Sequence, residues 1–195
     1  MDGVYTADPR SVTGAQRIEE LGLDAALDMA QAGSKVLLAE ALSQAKAHGV
    51  TLTASATHQA AGTGTRVSPD PIEAPVVGIA TDTDLYLLHS TCDLTPFAGA
   101  IRTQLPDGQV VVDGRNLPPP ESWSTPGQPI ATVSAIGASV VSDPTTTAAA
   151  VAAVASVHPG PLWWTSGQTF TAITPRDLAP SVEAALHAIL LESGR

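Results

Sequence analysis

The chain has 195 residues and a formal net charge of −10, with 44% hydrophobic but only 4% aromatic residues. That composition excludes a disordered chain and implies a core built mainly from Ala, Val, Leu and Ile. The acidity argues against nucleic acid and membrane surfaces as partners. The single cysteine, Cys92, excludes an internal disulfide, and no Cys/His spacing suits zinc.

In chain order, Asp2-Gly3 and Asp8-Pro9 mark turns. The spacing of Ile18, Leu21, Ala25, Leu27 and Met29 predicts a helix over 17–32, broken by Gly33. A second helix is predicted over 35–48, with Gly49 as its C-cap. Alternation of Thr51 and Thr53 with Leu52 and Ala54 predicts a strand over 50–56. Residues 57–75, rich in Gly, Thr, Ser and Pro, read as a linker with a boundary near residue 72. Strands are expected over 76–80, 85–90 and 109–112, and a short helix over 96–104. Pro118, Pro119, Pro120, Pro126 and Pro129 make 117–129 a second loop, partly polyproline. A strand over 130–136 precedes a helix over 145–157, with Asp143 or a following threonine as cap and Pro144 in its first turn. Strands over 163–165 and 169–173, joined through Ser166-Gly167, lead to a last helix over 177–191. This order of strand, helix, two strands and helix is ferredoxin-like. The fold class expected is therefore α+β or α/β.

Three stretches carry a family resemblance. Asp2-Gly3-Val4-Tyr5-Thr6-Ala7-Asp8-Pro9-Arg10 resembles the D-G-V-Y-T-A-D-P-R signature of aspartate kinases. Gly33-Ser34-Lys35-Val36-Leu37 is similar to that family's G-A-K-V-L helix start. Val76-Val77-Gly78-Ile79-Ala80 resembles the opening strand of its paired regulatory ACT domains, which bind an amino-acid effector. The resemblance implies a remnant of the amino-acid-kinase C-terminal lobe over 1–71, a degenerate first ACT-type unit over 72–128 and a second over 129–195, in βαββαβ pattern. Because the chain begins inside the nucleotide-site motif and holds only two lysines, Lys35 and Lys46, the expectation is that it lacks the catalytic front half and is no autonomous kinase. Phosphoryl transfer depends on charges gripping the phosphates from several sides.

The resemblance further implies that Asp2, Tyr5, Asp8 and Arg10 line the base and sugar side of a nucleotide half-site, with Lys35 reaching a phosphate. These residues can equally be fold residues, with Arg10 pairing with Asp8 or Glu19. In the ACT-type part, Asp93, Thr95, Pro96 and Phe97 stand at the family's effector loop, with Phe97 in place of a glycine, and Asn116 falls near its pocket asparagine. Asp93 can also be a turn acid. Trp163 and Trp164 depart from the family. As neighbours on a strand they face opposite sides, which suits core plus interface or a small-molecule pocket. Asp93 and His89 are the only weak catalytic candidates, and no cofactor or metal is implied.

The function expected is a regulatory or binding protein related to aspartate kinase. It would form a homodimer or sit on a kinase subunit in trans, and would take an amino acid or hydrophobic metabolite. A repurposed cyclase or isomerase, and a fragment of an aspartate kinase of lysine, threonine and methionine synthesis, are the alternatives. The absence of a visible leader and of a long apolar stretch suggests the cytoplasm. The apolar helices over 17–32 and 35–48 need a lobe in trans, a dimer partner or a new packing against the ACT-type units.

Overall fold

The computed structural model describes residues 2–58, 63–70, 74–89 and 91–192. The predicted boundary near residue 72 and the end of the strand at residue 90 lie outside them. The N-terminal part forms a small sheet from β1 (Glu20–Gly22), β2 (Leu52–Ala54) and β3 (Thr65–Ser68), in the order β1-β3-β2, with β1 parallel and β2 antiparallel to β3. Helices α1 (Leu23–Gln31) and α2 (Ala39–His48) accompany it. Three expectations are corrected here. The helix over 17–32 begins only at Leu23, because residues 20–22 pair with β3, and β3 itself lies in the stretch read as linker. The second helix starts at Ala39 rather than 35, and ends as expected at Gly49 in the left-handed conformation.

The large sheet is antiparallel throughout, in the order β5-β6-β4-β7-β9-β8. Its strands are β4 (Gly78–His89), β5 (Ile101–Gln104), β6 (Gln109–Asp113), β7 (Gln128–Ile136), β8 (Trp163–Ser166) and β9 (Thr169–Pro175). Between β7 and β8 lie the short α3 (Ser139–Ser142) and α4 (Pro144–Val157). After β9 comes α5 (Ala179–His187), extended by a π-turn over Ala188–Glu192. The order β7-α4-β8-β9-α5 is the expected ferredoxin-like sequence. Its four-stranded sheet is completed by β4, which sits beside β7 where a fourth strand of that unit would lie.

Three further expectations change. The two strands over 76–80 and 85–90 are one strand, β4, with its register shifted between Asp82 and Leu85. The helix over 96–104 is a single 3-10 turn, Thr95–Phe97, followed by β5. The last helix is split into a 3-10 turn, Arg176–Leu178, then α5 and the π-turn.

Strand alternation sorts the core. On one face, Ile79, Val133, Ala135, Phe170 and Ala172 meet Ala150, Ala153 and Val154 of α4 and Val182 and Leu186 of α5. Small alanines allow α4 to sit close to the sheet, which is how a chain poor in aromatics fills this layer. The same face at the β4–β6 end has no α-helix among the described residues. There Leu88, Val110 and Val112 are covered by Phe97 and Trp123 from the two loops. On the opposite face, Ala80 and Ile136 join Leu21, Leu23, Met29 and Val67 of the N-terminal part. The apolar side of α1 is thus satisfied by packing on the large sheet, the third of the routes considered.

Asp143 caps α4. Its carboxylate accepts from the amides of Thr145 (3.0 Å) and Thr146 (3.2 Å) and from the Thr146 hydroxyl (2.6 Å). These bonds, the Thr146 hydroxyl first, hold its carboxyl below the usual range. Asp143→Ala is expected to lower stability by about 1 kcal/mol, read from urea denaturation at pH 7; no change would mean that Pro144 alone sets the helix start.

Candidate functional site

The segment before β1 folds back on itself. Thr6 donates its amide to the Gln16 carbonyl at 2.8 Å, Ile18 to Val4 at 2.9 Å, and the amides of Ser11 and Val12 both reach the Asp8 carbonyl. The Asp8 carboxylate takes Arg10 in a forked pair, from Nε at 3.0 Å and Nη2 at 2.6 Å, as well as the Arg10 amide at 2.9 Å. Arg10 therefore pairs with Asp8, not Glu19, and its guanidinium holds the Asp8 carboxyl below the ordinary range. The turn is pinned from the far end of the chain by Glu183 of α5, only 3% exposed. Its two oxygens accept the Asp8 amide at 3.0 Å and the Ser11 hydroxyl at 2.8 Å.

Between this turn and the large sheet lies a cleft of about 520 Å³. One wall carries Tyr5, Asp8, Arg10 and Lys35; the other carries Thr81 and Thr83 of β4, Arg176 and Glu183. Four of the five nucleotide-site candidates thus meet in one place. The fifth, Asp2, reaches it through Tyr5, whose hydroxyl donates to Asp2 Oδ1 at 2.7 Å; that bond raises the Tyr5 phenol above its ordinary value. Lys35 pairs with Asp84 at 3.1 Å. The turn into Lys35 depends on Gly33, at φ +111°, where a Cβ would lie 2.7 Å from Asp82 Cβ and 2.8 Å from the Thr81 carbonyl oxygen. Gly33→Ala is expected to cost about 1–3 kcal/mol from the left-handed backbone and this contact, seen as a lower melting temperature.

The other candidates do not join this site. Asp93 is exposed and accepts the Thr95 amide at 3.0 Å, so it stands as the acid of the Thr95–Phe97 turn. The Thr95 hydroxyl and amide hold its carboxyl low. Thr95 and Pro96 are exposed, whereas Phe97 is 2% exposed in the core. Asn116 is exposed, and exposed His89 meets the Thr91 hydroxyl at 3.2 Å. Trp163 and Trp164 lie on β8, at the opposite edge of the sheet from β5, and face opposite sides as expected. Trp163 stacks on Phe170 at 5.5 Å, and Trp164 lines a second cavity of about 560 Å³ with Asp82, Thr132, Ser134 and Thr171. The effector-site candidates therefore form two groups. Among the described residues no cluster of three or more His, Cys, Asp or Glu side chains has metal-site geometry, and no helix is long and apolar enough to cross a membrane.

Thr81, Arg176 and Glu183 had no signal in the linear pattern except one: Glu183 interrupts the apolar side of its helix, a hint of a buried partner.

Residues 1–53 match the amino acid kinase family. A stretch of 38 residues is 53% identical to the aspartokinase of Corynebacterium glutamicum, covering 20% of this chain and 9% of that enzyme. Another of 42 residues is 50% identical to an aspartate kinase of Pseudomonas fluorescens, covering 22% and 10%. The fold of Clostridium acetobutylicum aspartate kinase superposes with a TM-score of 0.74 at 13% identity, over 97% of this chain and 52% of that one. The chain resembles the C-terminal part of an aspartate kinase. E. coli aspartokinase III, in complex with aspartate and ADP, gives a TM-score of 0.70 at 21% identity over 97% and 50%. At these identities the likeness is one of fold. This aspartate-kinase-like chain spans about half the length of these two structures.

Proposed function

We propose that this is a binding or regulatory protein of aspartate-kinase type that does not itself phosphorylate aspartate, and that the 520 Å³ cleft is its ligand site. The observation that carries this reading is the make-up of the cleft. One wall comes from the kinase-type signature over 2–10 and Lys35, and the other from the sheet and α5 of the ACT-type part. A ligand held there would touch both parts at once, so its affinity would depend on how they sit together. The domain division at 1–71, 72–128 and 129–195 belongs to this reading, as does assembly as a homodimer or on a kinase subunit.

Phosphoryl transfer is poorly served. Lys35 is the one lysine among the residues that line the cleft; Lys46 pairs with Asp24 away from it. The cyclase or isomerase reading loses support, because neither Asp93 nor His89 lines this cleft or the Trp164 cavity.

E. coli aspartokinase III is known bound to ADP, aspartate and lysine, so these are the first compounds to test. Calorimetric titration with each, and with threonine, is expected to give saturable binding for at least one. A coupled ATP–aspartate assay is expected to stay at background. Turnover at an ordinary enzymatic rate, or no binding of any small molecule, would overturn the reading.

A further inference from the structure

We propose that the cavity of about 560 Å³ beside Trp164 is a second binding site, made for a primary amine with an aromatic body, its ammonium on Asp28 and its ring against Trp164. Among the described residues this cavity shares no lining residue with the 520 Å³ cleft, so the two sites stand or fall separately.

The sheet register lays out the floor. Trp164 of β8 stands opposite Thr171 of β9, and Thr171 opposite Ser134 of β7. The Ser134 and Thr171 hydroxyls bond each other at 3.0 Å, so both side chains point to this face, away from α4 and α5. Two residues along β7, Thr132 stands opposite Asp82 of β4. The other wall is α1. Its Met29 packs in one cluster with Ala80 and Ile136 of this face. Just past its end, a Cβ on Gly33 would lie 2.7 Å from Asp82 Cβ. Asp28 lies one helical turn before Ala32, and both line the cavity. From β7, under α1, to β8 is two strand spacings, about 10 Å. Asp28 and Trp164 thus bound a gap the width of a small molecule.

Charge decides what enters at the α1 wall. Lys35, Arg102 and Arg115 are matched by Asp82, Asp84 and Asp113 in one ion-pair network, three bases against three acids. Arg102 and Asp82, which line the cavity, therefore bring it no surplus charge. Asp28 does. Its carboxylate has no hydrogen bond or ion pair among the described residues. The nearest cation, Lys46, is held by Asp24 at 2.5 Å, which leaves two carboxylates to one ammonium. Burial first, then the charge of Asp24, push the Asp28 carboxyl above its ordinary value, as expected for an acid short of a partner. An ammonium supplies that partner with a charge-assisted bond. An anion would be repelled, and a neutral head would leave the charge unanswered. At the β8 wall, half-buried Trp164 packs on the cluster of Leu85, Val111, Ile130 and Ile173. That end suits a ring, and the indole face adds attraction for a nearby cation. The volume is that of a metabolite site.

The indole N–H of Trp164 gives a readout, assigned in nitrogen–proton correlation spectra by its loss in Trp164→Phe. Phenethylamine, 2-phenylethanol and phenylacetate, similar bodies with positive, neutral and negative heads, are titrated separately. The amine is expected to shift the Trp164 signal saturably and to bind about tenfold tighter than the alcohol, with phenylacetate weaker than both. The near-isosteric Asp28→Asn should abolish that preference, and Trp164→Leu should weaken amine binding about fivefold. A readout free of any variant is the titration of the Asp28 carboxyl, which saturating amine should bring down. Equal affinity for amine and alcohol, a preference unchanged in Asp28→Asn, a carboxyl that does not move, or no saturable shift with the amine overturns the proposal. None of these outcomes touches the cleft, which is tested with ADP, aspartate, lysine and threonine.

Discussion

Replacing Phe97 with alanine is expected to lower the free energy of unfolding by about 3–5 kcal/mol, the range for large-to-small changes at fully packed aromatic positions. Phe97 is 2% exposed. Its ring meets Trp123 edge-on at 5.0 Å, and Trp123 meets Tyr86 in the same way at 4.9 Å. Beneath these rings lie Leu88, Val110 and Val112. Among the described residues no α-helix covers this part of the sheet, so the work falls on a 3-10 turn and a proline-rich loop pinned by the Trp123 indole N–H on the Pro118 carbonyl at 2.8 Å. Truncating Phe97 removes the contact that holds one loop to the other. Urea denaturation measures the loss, and Trp123 fluorescence should shift to the red as the indole becomes wetter. A loss under about 1 kcal/mol would mean that the loops collapse into the gap.

What could be read from the sequence followed from how local each signal is. Asp143-Pro144 gave the start of α4 because capping is a contact between residues two or three apart. The strand over 130–136 was readable because both its faces are buried. β3 was missed because Thr65-Arg66-Val67-Ser68 has no apolar alternation. It becomes a strand only because β1 and β2 flank it. Residues 20–22 read as helix for the converse reason: Leu21 fits a helical period, and the parallel edge that claims it is more than forty residues away in sequence. β4 read as two strands because Thr81-Asp82-Thr83-Asp84 looks like a turn. In the fold this polar stretch crosses the register shift, and its acids face Arg115. The site divides in the same way. The half contributed by residues 2–10 and Lys35 is contiguous enough to show as a motif. Thr81, Arg176 and Glu183 are brought to it only by the pairing of β4 with β7 and β7 with β9, which no linear pattern records.

Arg115→Met is expected to destabilise the protein by about 1–3 kcal/mol at neutral pH, because it takes a charge-assisted partner from a buried carboxylate, Asp82, which keeps only the Asp84 amide. Arg115 holds Asp82, whose side chain is 4% exposed, and also reaches Asp84 at 3.3 Å and Asp113 at 3.0 Å. Asp113 has a second partner in Arg102 at 2.5 Å and Asp84 has Lys35, so Asp82 loses most. Burial pushes the carboxyls of Asp84 and Asp113 upward. The bonds and charges from Lys35 and Arg115 on the first, and from Arg115 and Arg102 on the second, outweigh it and leave both below the ordinary value. A carboxyl lowered in the folded state adds stability that is complete above its unfolded value, near 4, and is lost as pH falls through the folded value. In Arg115→Met the part of that lowering due to Arg115 is relieved, while Lys35 and Arg102 keep theirs, so the variant has less to lose on acidification. The gap between wild type and variant should therefore be widest near pH 7 and narrow below about pH 4, as measured by urea midpoints at both ends. A gap of constant size would assign the role of Arg115 to the packing of its stem.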